Sequence, residues 1–138
     1  MGELLRLAEL CKAATGPDRE LDGLIFRALN PDGDFHQIDG VWHMRDIEDH
    51  GAFEAPPHFT SSRDAAMSIV PDYAFEQVSS GYGTLRAFAQ LVYARHTRRI
   101  WGRGRFRPPS IYVVAASEPL ALCAASLRAR TSEDNSHG

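Results

Sequence analysis

Cysteine is scarce in this chain: two residues of 138, Cys11 and Cys123, neither of them in a CxxC pair. Both sit inside apolar helical patterns, which excludes a disulfide framework and fits a reducing, cytoplasmic compartment. Lysine is scarcer, with Lys12 alone. No long apolar run is present, so nothing is expected to span a membrane. With Glu3 near the start, and Arg6 where a myristoylation signal wants Ser or Thr, no anchor is expected there either. Internal repeats are absent. So are a Gly-x-Ser-x-Gly elbow, a Walker loop, an HExxH pair and a dinucleotide fingerprint. Gly81-Tyr82-Gly83 alone is a turn, and nothing orders the serines, histidines and aspartates into a relay. The expectation is a protein that is not an enzyme and needs no cofactor. A net charge of −3 adds no bulk drive toward nucleic acid, so binding of that kind would need a local patch.

What is present suffices for one core. The hydrophobic fraction of 43% is ordinary for a globular fold. Residues 1–130 read as a single α+β domain, and the polar stretch 131–138 as a disordered tail. Charge is segregated along the chain. Ten acids and three arginines lie between Asp18 and Glu54, whereas seven arginines and no acid lie between Arg86 and Arg107.

Leu4, Leu7, Ala8 and Cys11 make the i, i+3, i+4, i+7 stripe of a helix that Gly16-Pro17 ends. Leu21, Leu24, Ile25 and Ala28 repeat the stripe in a second helix, with Asp18 and Glu20 at its positive end. The two are expected to form a helical hairpin. Asp39-Gly40, between Phe35–Ile38 and Val41–Met44, predicts a two-residue β-hairpin that pairs Ile38 with Val41. Ser61 is the expected cap of a short helix that Pro71 stops after Val70. Tyr73–Val78 reads as a strand and Ser79–Gly83 as its turn. Leu85–Ala94 is ambiguous between helix and strand, and its aromatic and β-branched content favours strand. Ile111–Val114 reads as a buried strand. Ser117-Glu118-Pro119 starts a last helix with the stripe Leu120, Cys123, Ala124 and Leu127. Helices at both ends of a run of strands suggest helices packed over an antiparallel sheet.

Three stretches, Ala14–Asp22, Phe59–Pro71 and Glu118–Arg130, resemble in order and spacing the phage ABA-sandwich family of small phage and prophage proteins. The resemblance implies an α/β/α sandwich with a mainly antiparallel sheet, and a phage or prophage origin. It implies no catalytic residues. Residues 31–58 and 95–110 lie outside the matching stretches, which makes them the places to look for a function particular to this chain.

Two segments there are candidate binding surfaces. The first is basic: Arg95, Arg98, Arg99, Trp101, Arg103, Arg105 and Arg107, preceded by Arg86 and Phe88, offer guanidinium forks for phosphate or carboxylate and rings for bases. The second is the acidic hairpin, with Asp34, Asp39, Trp42, Asp46, Glu48 and Asp49 offering a negative surface to a basic partner. The hairpin register also sets His36 opposite His43, a pair that would need a third ligand from Asp46, His50 or His58 to hold a metal. The leading expectation is a phage accessory protein that binds a host protein and blocks a host defence system, in the manner of an anti-CRISPR protein. The alternatives are a nucleic-acid-binding module using the arginines of residues 86–107, and a small metal-dependent enzyme. An edge strand of the hairpin or the alanine-rich last helix would each serve for dimerisation, and the sequence does not decide the oligomeric state.

Overall fold

The structure is a computed structural model and describes residues 2–46, 48, 51–71, 75–82, 86–93 and 110–137. The first amphipathic stripe folds as helix α1 (Gly2–Ala13), burying Leu7, Ala8 and Cys11. After Gly16-Pro17 the Asp18 carboxylate accepts the Leu21 backbone N–H at 3.1 Å and caps helix α2 (Arg19–Leu29), which buries Leu21, Ile25 and Phe26. A cap of this kind contributes about 1 kcal/mol.

Asp39 and Gly40 both take positive φ, 52° and 81°, the turn that a right-twisted two-residue hairpin requires. They join β1 (Phe35–Ile38) to β2 (Val41–Asp46) with Ile38 opposite Val41 and His36 opposite His43, as the sequence predicts. β3 (Ala52–Glu54) pairs with β2 and completes a three-stranded antiparallel sheet. Gly40→Val is expected to cost about 1–2 kcal/mol, because the left-handed region penalises a β-branched residue. Asp39→Asn should stay within about 0.5 kcal/mol. Urea denaturation midpoints check both.

After the short helix α3 (Arg63–Met67), strands β4 (Phe75–Tyr82), β5 (Ala87–Tyr93) and β6 (Ser110–Ala115) form a second three-stranded antiparallel sheet. Ala87, Ala89, Leu91, Val113 and Ala115 are buried on one face of it. Helix α4 (Glu118–His137) packs on this sheet, and α1 and α3 pack on α4. The Ser117 hydroxyl accepts the Leu120 N–H at 3.3 Å and starts α4. From Leu120 to Leu127 every residue of α4 has zero exposure, so the helix is enclosed on all sides and forms the centre of the core. Among the described residues no helix is long and apolar enough to cross a membrane.

The α+β class, the pair of N-terminal helices, the hairpin and the C-terminal helix thus follow the sequence reading, and residues 87–93 are a strand. Several details differ. The antiparallel strands divide into two sheets because each set of three consecutive strands pairs among itself, with α3 between them. The cap of α3 is Ser62, whose hydroxyl accepts from Ala65 N, while Ser61 is held in the preceding turn by His58 O. The expected turn at Ser79–Gly83 is strand through Tyr82, with Ser80 opposite Ala89 and Gly81 opposite Phe88. Small residues are tolerated there because β4 is an edge. The polar stretch expected to be disordered continues α4 to His137, following a helix already nucleated in the core. The alanines of α4 are buried within the chain and so are not exposed to a second copy.

Candidate functional site

The stretches Ala14–Asp22, Phe59–Pro71 and Glu118–Arg130 meet in the interior. Asp22 has zero exposure; its Oδ1 accepts from Thr60 N at 2.7 Å and its Oδ2 from Arg19 Nη1 at 2.8 Å. Arg19 also donates from Nη2 to the carbonyl of Pro56 (2.9 Å) and from Nη1 to that of Pro57 (3.3 Å). The Thr60 hydroxyl, also fully buried, accepts from Asp18 N at 2.8 Å and donates to Asp18 O at 3.2 Å. The Cys123 thiol from α4 donates to Phe59 O at 3.2 Å. Hydrogen bonding with Cys11 and then burial push that thiol well above its ordinary value, so it stays protonated. Both cysteines are free and buried. This clasp ties α2 and α4 to the segment between the sheets. Its polar groups are satisfied by one another and its carboxylate is sealed from solvent, so its role is to hold the scaffold.

The hairpin sheet is the exposed counterpart. Strand alternation sends Phe35, Trp42 and Met44 toward α2 and leaves His36, Ile38, Val41, His43, Arg45 and Phe53 on the outer face. On the inner side the Phe35 ring meets Phe26 edge-on at 5.4 Å, and the Arg27 guanidinium lies 4.1 Å over Trp42. Gly23 of α2 sits directly under β2, where an added Cβ would come within 2.7 Å of Trp42 N. Trp42, read from sequence as part of the acidic binding surface, therefore belongs to the seam with α2. There it borders an open cleft of about 740 Å³ together with Glu3, Arg27, Asp34 and Phe35. The cleft offers charges of both signs and no single ligand chemistry.

On the outer face Ile38 is 38% and Phe53 48% exposed, and the Phe53 ring contacts His36 edge-on at 5.6 Å. Exposed carboxylates lie at the ends of these strands; by register Asp46 and Glu54 share the inner face with Met44, while Asp34, Asp39 and Glu48 border the outer one and Arg45 stands on it opposite Phe53. Asp34 lies before β1, Asp39 at the turn, Asp46 at the end of β2, Glu48 just beyond and Glu54 at the end of β3. Asp46 Oδ1 accepts from Glu48 N at 3.0 Å, which shapes that end of the rim. Asp49 lies outside the described residues.

His36 and His43 stand opposite each other, but each is engaged elsewhere. His36 Nε2 is 2.9 Å from Asp34 Oδ1, and His43 Nδ1 is 3.0 Å from Val41 O. Among the described residues no group of three histidines, cysteines or acids is placed to hold a metal ion, and His50 lies outside them. Arg95, Arg98, Arg99, Trp101, Arg103, Arg105 and Arg107 also lie outside the described residues. Arg86 and Phe88 are described: Arg86 is exposed just before β5, and Phe88 is on the face of β5 opposite α4. The neighbour of Phe88 there is Tyr112, 55% exposed, although its strand reads as buried in the sequence. The run Ile111–Val114 conceals the alternation because both faces carry large side chains. Gly23 and the Arg19–Asp22 pair were also missed: a mid-helix glycine and an i, i+3 ion pair both look unremarkable in sequence.

No protein-family model, no curated protein and no solved structure matches the chain.

Proposed function

We propose that this chain is a non-enzymatic binding protein whose hairpin sheet docks a basic surface of another protein. The observation that supports it is the outer face of that sheet: an apolar centre of exposed Ile38 and Phe53 and half-buried Val41, with His36 and His43, bordered by the exposed carboxylates Asp34, Asp39 and Glu48, and with Arg45 beside Phe53. An apolar centre with a charged rim is the anatomy of a protein interface, and the sign of the rim selects a basic partner and speeds encounter with it. The resemblance of the three clasp-forming stretches to the phage ABA-sandwich family supports a phage or prophage accessory role. A host partner in the reducing cytoplasm then follows, with a nucleic-acid-handling component of a defence system as the preferred class, since such proteins carry basic surfaces. The free thiols of Cys11 and Cys123 suit that compartment.

The test is capture from host lysate by the tagged chain at low salt, with Asp39→Lys/Glu48→Lys and Phe53→Ala alongside. A stoichiometric partner should be retained by the wild type, be released as salt rises, and bind the charge-reversed variant on the order of tenfold more weakly. Recovery of no stoichiometric protein, or equal recovery by all three chains, would count against the hairpin face.

A further inference from the structure

The second sheet presents a surface of another kind. Its inner face, Ala87, Ala89, Leu91, Val113 and Ala115, is filled by α4. Its outer face carries Phe88, Gln90, Tyr112 and Val114, and Arg86 immediately precedes β5. Gln90 is directly opposite Tyr112 and Phe88 opposite Val114, which puts the two rings on a diagonal across adjacent strands. The rings are stacked, with centroids 5.8 Å apart and planes within 17°. Phe88 is half-buried beneath this arrangement, while Tyr112 is 55% exposed. The platform is thus built from a rigid pair on sheet strands, not from a loop.

The polar groups around it fit one class of ligand. The Gln90 amide offers donors and an acceptor at the edge of the rings; its Nε2 reaches Ser110 Oγ at only 3.4 Å, a long bond that a better acceptor would displace. Arg86 is exposed just before β5, and neither β5 nor β6 contains an acid. An aromatic face with an amide at its edge and cationic charge nearby matches an unpaired base and its phosphates.

We propose that the outer face of β5 and β6 binds single-stranded nucleic acid, with a base stacked on Tyr112, its edge read by Gln90, and a phosphate held by Arg86. A duplex is a poor ligand here because its base faces are already stacked on one another. This surface is separate from the hairpin sheet, so the reading stands or falls independently of the docking proposed there.

Fluorescence anisotropy with labelled single-stranded DNA and RNA of roughly 12 nucleotides tests it. Wild-type chain should bind at about 50 mM salt and lose affinity steeply as salt rises. Tyr112→Ala should weaken binding about tenfold or more, while Tyr112→Trp keeps or improves it. Arg86→Glu should weaken binding and flatten the salt dependence. Tyr112 and Arg86 are exposed, and circular dichroism confirms that each variant keeps the fold. Absence of binding at low salt, equal affinities for Tyr112→Ala and wild type, or a matched duplex binding as tightly as the single strand would each overturn the proposal.

Discussion

Asp22→Ala is expected to lower the unfolding free energy by about 3–5 kcal/mol, a large share of the ~5–15 kcal/mol that a domain of this kind possesses. The substitution strands two groups at once. Thr60 N–H is left as a buried donor with no acceptor, and Arg19 loses its carboxylate while still tied to the carbonyls of Pro56 and Pro57. Arg19 is 36% exposed at its side chain, so water recovers part of its loss and the lower end of the range applies best. Asp22→Asn keeps the shape and an acceptor for Thr60, and should cost about 1–2 kcal/mol. Guanidinium denaturation followed by circular dichroism separates the three chains. Coincident midpoints for Asp22→Ala and wild type would show that the clasp contributes nothing to stability.

Gly23→Ala should also destabilise, although the same change in an exposed helix would gain about 1 kcal/mol. A Cβ at residue 23 meets Trp42 N at 2.7 Å and Trp42 Cα at 3.3 Å, and those are backbone atoms that cannot rotate away. Either β2 moves off α2 or the helix shifts, at about 1–3 kcal/mol. The displacement has its own signature, because Trp42 would lose its enclosure and the stack with Arg27. In a Trp101→Phe background, tryptophan emission should move to the red with the fall in stability. A variant more stable than wild type, with unchanged emission, would mean that the seam tolerates a methyl group.

Much of the scaffold is legible because its signals are local. Asp39-Gly40 needs only its own positive φ values to set the hairpin register, and the stripes of α1 and α2 need only helical spacing. Legibility fails where burial depends on a distant element. Leu122, Ala121 and Ala125 look like the back of an amphipathic helix until α1, α3 and a sheet close around α4. Trp42 and Phe53 read as equivalent aromatics among acids, yet strand parity sends one inward onto Gly23 and the other out to solvent. The acids of the candidate docking surface are readable as a charge cluster. That they frame an apolar face becomes visible only when β3 joins the hairpin.

The enclosure of α4 also constrains when this chain can fold. α1 buries Leu7, Ala8 and Cys11 against a helix that begins more than a hundred residues later, at Glu118. During synthesis at ~5–20 residues per second, α1 emerges from the ribosome with no partner and waits roughly 5–20 s for one. The inner faces of β5 and β6 wait for the same helix. Until it arrives, the second sheet has no core to rest on, and the nascent chain shows apolar stripes that chaperones bind. Closure of the core around α1 and the second sheet is therefore expected to be a late event, triggered by the appearance of α4, whereas the hairpin can settle on α2 before it.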